Sequence, residues 1–417
     1  MKILFINHFA GIPQKSDASL RHFNIAKLQQ RYNYKCSIIT SSQSYQNKQK
    51  INMPRKFFDG IEYFFVDEFN SKKNNLFTKL LRMFSFSINL FLYLKKNSQK
   101  HNPDIVYASS PDLMTCLVAY YFSKKKFAKF VFEIRDIWPK SQVDLHNYSE
   151  KNPIIIFLKK IEIFLHHKSD KIVSNLPAYH NYLKKYNLSF KDYTHLPQFL
   201  DLKYYNKNYV ECNISKDHQK IFQSFDEVCI FAGTIGSYYG ISFMIDSIQS
   251  YNSSNDKKLA LILIGDGDYR TKAENYLKKN NINDVFIIGT QNKSYLFSLI
   301  KKCSFSILSF PNKEIYEYGI ASLKMFDYLY VGTPILMIGP FDKYSILKKS
   351  RYQFKSQFGN TNEMLNEYHK LCSLDKFKKN DIKRDYKNIL KQYCSTRTIK
   401  KELNVIFNEQ IASLNSK

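Results

Sequence analysis

The chain reads as an α/β protein of two doubly wound Rossmann-like domains facing each other across a cleft. Apolar runs of strand length alternate with longer helical stretches from the first residue onward. The alternation pauses near residues 196–201 and then restarts. Three of the runs lead into loops that carry glycine or charged residues, at the strand ends where open α/β sheets bind ligands. At 417 residues the chain is long enough for two cores of ordinary size.

The elements follow in order. Residues 3–6 form an unbroken apolar run, as a strand buried on both faces should. A loop over 8–19 precedes a helix at about 20–31. Strands at 37–40, 104–109, 130–134 and 171–174 continue the series, with helices at 112–122, 154–167 and 177–185 between them. Residues 203–215 are polar, tyrosine-rich and unpatterned, and read as a linker. Strands at 228–232, 260–264, 285–288 and 305–308 then alternate with helices that start at Ile241 and Thr271 and a helix near 295–301. The expected domains are 1–200 and 201–395, and a last helix in 396–417 is long enough to cross back to the first.

Composition narrows the function. Hydrophobic residues make up 44% and aromatics 16%, which indicates a globular protein. Seven cysteines without CxxC spacing read as reduced, packed thiols. The apolar run at the start is too short for a secretory signal. The formal charge of +27 suits an anionic substrate or membrane surface. Its lysines are scattered, with no arginine-rich tail or RNP-like motif, which argues against nucleic acid. Residues 76–94 are apolar between basic flanks, but Ser85, Ser87 and Asn89 interrupt them, so the segment is not read as transmembrane. In-plane membrane contact and burial against the sheet both remain open for it. For the helix at 154–165 burial is expected.

The densest chemistry lies in residues 318–336. Ser322 is placed as the N-cap of a short helix, so free N–H groups would open onto the preceding loop. Leu323, Phe326 and Leu329 would face the core, while Lys324 and Asp327 share another face. Gly332 and Pro334 end the helix. A helix N-terminus with a lysine suits a diphosphate, and a carboxylate one turn on suits a ribose diol. The loop at 232–240 places Gly233, Thr234 and Gly236 after a strand, where backbone N–H groups can approach phosphate. In Phe132-Glu-Ile-Arg-Asp-Ile-Trp-Pro139, Asp136 could orient or deprotonate an acceptor hydroxyl, or bond a sugar hydroxyl. Arg135 could compensate that charge or meet phosphate, and Glu133 is a weaker candidate. Gly11 allows close backbone approach, and Arg21 could meet phosphate or an acceptor. The Gly265-Asp-Gly-Asp268 run reads as a turn, and His8, His166 and His167 lack partners at metal spacing.

These motifs resemble the retaining GT-B glycosyltransferases of family 4, in particular those building bacterial O-antigen, capsule and colanic-acid-like polysaccharides, including fucosamine-type transferases. The specific matches are the Glu133-to-Pro139 run and the helix with Lys324 and Asp327; the glycine loops are generic. The resemblance implies a nucleotide-sugar donor, a UDP-sugar for preference, held mainly by the second domain with no required metal or cofactor. It implies an acceptor on the first domain, plausibly a sugar on a polyprenyl diphosphate. An enzyme of that kind would work in the cytoplasm, peripherally on the inner face of the cytoplasmic membrane. Two family glutamates eight positions apart would fall at Gly319 and Asp327, so the first is absent and Glu317 is its nearest substitute. The cations that usually follow Gly236 are missing, which leaves Lys324.

Two other readings stand beside this one. A GT-B nucleotide-sugar epimerase would share the fold but need acid/base groups around the sugar. A non-catalytic basic protein binding membrane or nucleic acid would keep the charge without Lys324, Asp327 and Asp136 at strand ends.

Overall fold

Continuous burial, not alternation, marks most of the strands. The computed structural model describes all residues except 14–19, 44–49, 70–75, 189–191, 341–344, 394–395 and 416–417. The chain divides into two compact units, Met1–Leu200 with Thr396–Lys417, and Asp201–Ser395.

The first unit is built on strands β1 (Lys2–Ile6), β2 (Lys35–Ser41), β3 (Arg55–Phe58), β4 (Ile61–Val66), β5 (Ile105–Ser109), β6 (Lys129–Ile134), β7 (Lys171–Ser174) and β8 (Tyr193–His195). Their order is β3-β4-β2-β1-β5-β6-β7-β8, and every neighbouring pair is parallel except β3 with β4. Helices α1 (Arg21–Gln30), α2 (Leu76–Lys96), α3 (Leu113–Lys125), α4 (Lys140–His146), α5 (Pro153–Lys168) and α6 (Tyr179–Lys185) connect them. The β3–β4 hairpin, absent from the strands expected from sequence, turns on Asp59 and Gly60, both at positive φ. That Asp-Gly pair suits the two-residue turn that matches strand twist.

The second unit begins with α7 (Leu202–Asn208) and α8 (Lys216–Ser224). The expected linker is therefore partly helical: Asp201 caps α7 by accepting from the Lys203 and Tyr204 amides. Strands β9 (Glu227–Ala232), β10 (Leu259–Ile264), β11 (Val285–Ile288), β12 (Phe305–Ser309), β13 (Ile335–Ile338) and β14 (Phe354–Ser356) form a wholly parallel sheet in the order β11-β10-β9-β12-β13-β14. All six residues of β10 are buried, as a two-faced core strand requires. Helices α9 (Ile241–Ser254), α10 (Arg270–Lys279), α11 (Lys293–Lys302), α12 (Leu323–Val331), α13 (Thr361–Cys372) and α14 (Lys376–Tyr393) belong to this unit. The last helix, α15 (Thr396–Asn415), packs in the first unit, with Leu403, Ile406 and Phe407 buried and the Phe407 ring 6.1 Å from that of Tyr107.

In the first unit α3 lies between α2 and α5. Both outer helices bury one face and leave another in solvent. On α2, Phe86, Leu90 and Leu94 are buried, whereas Phe77, Leu81, Phe84, Ile88, Phe91 and Leu92 are exposed. Among the apolar residues of α5 the expected burial holds for Ile155, Leu158, Ile161 and Leu165, whereas Ile154, Ile156, Phe157 and Ile163 face outward. Among the described residues, no helix is long and apolar enough to cross a membrane.

Candidate functional site

The site grows from three loops of the second unit. The loop after β9 runs through Gly233 at φ +129 and Thr234, both exposed, into buried Ile235 and Gly236. The loop after β10 supports it from behind. Gly233 N–H donates to the Ile264 carbonyl (2.8 Å) and Ile235 N–H to the Asp266 carbonyl (3.0 Å). A Cβ on Gly265 would lie 1.9 Å from the Gly233 carbonyl oxygen, and one on Gly267 would lie 2.3 Å from that of Ile235. The Gly265-Asp-Gly-Asp268 run is thus a backbone-to-backbone prop, which explains its glycines. Its Asp268 carboxylate accepts from Ser237 N–H at 3.2 Å.

Helix α12 supplies the polar groups. Ser322 sits at the N-cap position with extended backbone, but its hydroxyl makes no capping bond. The cap expected from sequence is therefore positional only, and among the described residues no side chain caps the first turn. Tyr328, on the same helix, accepts from Ala232 N–H at 2.7 Å and ties α12 to the end of β9. Lys324 reaches back over the β9 loop, its Nζ 3.8 Å from the centroid of Tyr239, 4.3 Å from Phe231 and 5.7 Å from Phe310. A Cβ on Gly233 would sit 3.4 Å from that Nζ. The ammonium is buried among rings and has no hydrogen-bond partner among the described residues. Burial pushes its pKa down to about 7.

Asp327, one turn on, is only 5% exposed. Its Oδ2 is held by Lys293 at the start of α11, while Oδ1 has no partner among the described residues. Lys293 was not anticipated; as a first-turn residue of a separate helix it carries no local signal linking it to Asp327. Unpartnered buried polar atoms in a folded protein call for an explanation. Here a cationic group and a carboxylate oxygen, three residues apart on one helix, are both left open beside an exposed glycine loop. Gly319, with φ +106, ends the short helical turn Glu314–Tyr318, and that backbone favours glycine there. Glu317 is exposed on that turn.

The first unit places its expected residues differently. Arg21 is turned inward and only 1% exposed, with Nε on Glu133 (2.7 Å) and its two terminal nitrogens on the Pro197 (2.9 Å) and Leu196 (2.7 Å) carbonyls. Its donors are committed to the protein, which corrects the expectation of a phosphate or acceptor contact. Glu133, rated weaker, is the hub: Tyr107 and Ser109 also donate to it, at 2.8 and 2.6 Å, and His22 lies 3.2 Å away. Burial opposes its charge, but Arg21 and the hydrogen bond from His22 outweigh that and hold its carboxyl well below the usual range. The Gly11 carbonyl accepts from Tyr63, and the glycine itself is buried.

At the end of β6, the Ser110 hydroxyl fixes the backbone of Arg135 and Asp136 through bonds of 2.8–3.0 Å. The Asp136 side chain is exposed and makes no ion pair among the described residues. Arg135 does not pair with it either; its Nε is buried and has no partner among the described residues. His8, expected from its spacing only to be no metal ligand, has a different role. It is clamped between Asp112 (2.7 Å) and Glu68, and Arg82 of α2 pairs with the same Glu68. Burial lowers its pKa, but the hydrogen bonds to Asp112 and Glu68 prevail and raise it. Nothing in the local sequence brings residues 8, 68, 82 and 112 together; only the sheet order does.

No protein-family model matches the chain. Over 79 residues it is 30% identical to an uncharacterized glycosyltransferase, MJ1178, of Methanocaldococcus jannaschii, and that stretch spans 19% of this chain and 21% of the relative. Solved structures match over nearly the whole length. Sucrose-phosphate synthase of Thermosynechococcus elongatus superposes with a TM-score of 0.73 at 9% identity, covering 99% of this chain and 100% of that one. HepE of Anabaena, in complex with UDP and glucose, superposes at 0.64 with 15% identity, covering 100% and 99%. The catalytic domain of starch synthase IV from Arabidopsis thaliana gives 0.66 at 11% identity, covering 98% and 99%. The fold is that of the GT-B glycosyltransferases: two Rossmann-like units built on mainly parallel sheets.

Proposed function

We propose that this protein is a glycosyltransferase that uses a nucleotide-sugar, preferentially a UDP-sugar, and that the open polar groups of α12 hold the donor. The observation that carries this is the pair of unpartnered buried atoms, Lys324 Nζ and Asp327 Oδ1, beside the Gly233 loop. A diphosphate supplies the anion that Lys324 lacks, and a ribose hydroxyl supplies the donor that Asp327 Oδ1 lacks. Likeness to a fold whose HepE example binds UDP and UDP-glucose supports the reading. In the reaction the bond between the anomeric carbon and the diphosphate breaks, the acceptor oxygen bonds to that carbon with retention, and the hydroxyl proton passes to the departing diphosphate oxygen. Lys324 and the uncapped N–H groups of α12 stabilise the charge that develops on the departing diphosphate. Asp136, exposed on a fixed backbone, positions the acceptor hydroxyl.

The acceptor in this reading is a sugar on a polyprenyl diphosphate, and the product a bacterial surface polysaccharide of the O-antigen or capsule kind. The protein works peripherally at the inner face of the cytoplasmic membrane, to which its charge of +27 attracts it. Calorimetry with UDP, GDP and TDP tests the donor site. Micromolar binding of one nucleotide, lost in Asp327→Ala and Lys324→Met, is expected. Absence of binding to all three overturns the reading.

A further inference from the structure

Four helix ends in this chain close with the same pair of backbone bonds. In each, a residue at positive φ donates to the carbonyl three back, and the next residue donates to the carbonyl five before it. After α1 the residue is Asn33, after α6 Asn187 and after α10 Asn281. Asparagine tolerates this conformation, and only glycine suits it better. After α3 the residue is Phe127, at φ +55, with Phe127 N–H on Lys124 (3.2 Å) and Ala128 N–H on Ser123 (2.9 Å). A bulky aromatic is an outlier in that region of backbone space. Its ring gains nothing from the fold in return, since the residue is 92% exposed.

A side chain that is costly in backbone terms and unused inside the protein points outward. We propose that Phe127 is a wedge that inserts into an anionic lipid bilayer, at the rim of a docking face formed by α2, α3 and α5. The surroundings fit that occupant. Neither α2 nor α3 contains an acidic residue, and the single one of α5, Glu162, is buried. The exposed faces of α2 and α5 present Phe84, Phe91 and Phe157. Each helix runs back to the start of a parallel strand, so the helix C-termini line one edge of the sheet. Lys95 and Lys96 end α2, and Lys125 and Lys126 lie immediately before Phe127; none of the four makes an ion pair among the described residues. An apolar face with a cationic rim is the pattern of a helix layer lying in the headgroup region. A second copy of this chain would bring the same cations against themselves.

This inference rests on the proposed membrane association and not on the donor site, so its test reads both separately. Flotation of the full chain with vesicles of phosphatidylglycerol and phosphatidylcholine, against phosphatidylcholine alone, is compared for wild type, Phe127→Asn and Phe127→Trp. Wild type and Phe127→Trp should float with the anionic vesicles only. Phe127→Asn should partition about tenfold more weakly, the worth of one aromatic removed from an apolar phase. Its melting temperature should be unchanged or higher, because the strain is relieved, and its UDP affinity unchanged. Phe127→Asn that floats like wild type, or that melts lower, overturns the wedge. Wild type that binds neither vesicle overturns the membrane reading with it, while UDP binding still decides the donor site. Self-association of wild type that Phe127→Asn abolishes would make the face a protein interface and overturn the proposal.

Discussion

At the end of β6 a buried carboxylate is surrounded; at the start of α12 a buried amine is not. Glu133 has Arg21, His22, Tyr107 and Ser109 around it, and Arg21 is in turn satisfied by two backbone carbonyls. Lys324 has three aromatic rings and, among the described residues, no acceptor. Both lie where α/β sheets gather polar residues. A charge closed by its own protein is scaffold, because every partner must be kept for the fold to survive. A charge left open is held at a cost to the fold and becomes useful when a ligand supplies what is missing. The presence of ionisable residues at strand ends does not separate the two cases; the state of their hydrogen bonds does.

The contrast can be broken most forcefully at Glu133. Glu133→Gln should destabilise the protein by about 3–5 kcal/mol in urea unfolding, because Arg21 stays buried without its counter-charge. Glu133's folded pKa lies below its unfolded value, so its contribution is present above about pH 4.5 and lost as pH falls further. The variant should lack that acid-dependent loss. Little effect at either pH would mean that Glu133 is no more structural than Lys324.

Lys324→Met should do the opposite. Stability should hold or rise, while UDP affinity falls by about 10- to 100-fold, the worth of a charge-assisted hydrogen bond. A variant that unfolds with Glu133→Gln-like losses would place Lys324 in the scaffold. Next comes pH. The free lysine charges as pH falls through about 7, so UDP should bind more tightly on the acidic side. The loss on raising pH from 7 to 8 is at most about tenfold, and Lys324→Arg, charged throughout, should flatten the profile. Calorimetry at pH 6, 7 and 8 reads this; equal slopes in both proteins would remove Lys324 from the binding step. The smallest effect is expected at Ser322. A capping serine replaced by alanine usually costs about 1 kcal/mol, but this hydroxyl makes no capping bond. Ser322→Ala should therefore change stability by less than about 0.5 kcal/mol.

Much of this was legible before any coordinates. The unbroken apolar runs at 3–6 and 260–264 announce strands covered on both faces, and their alternation with helices announces parallel sheets. Gly332 ends α12 in the left-handed conformation expected of it. The hairpin at Asp59-Gly60 was readable in principle from its turn residues. By contrast, Arg21 looked available because it stands at a helix start after a loop; its commitment to Glu133, 112 positions away, has no local mark. Lys293 and the clamp on His8 are hidden in the same way. The outward apolar residues of α5 were masked by periodicity, which shows that a helix has an apolar face but not that a second one stays uncovered.

The amino-acid order by itself determined the local choices: which segments are strands, where Asn and Gly end helices, and which residue types gather at strand ends. Those follow from steric and hydrophobic preferences acting over a few residues. The tertiary structure alone decided which charges are paired and which are open, because pairing depends on the order of strands in a sheet, and strand order brings together residues far apart in the chain. It decided too that Phe127 stands in solvent on a strained backbone, a combination visible only once the neighbours that could have covered it are in place.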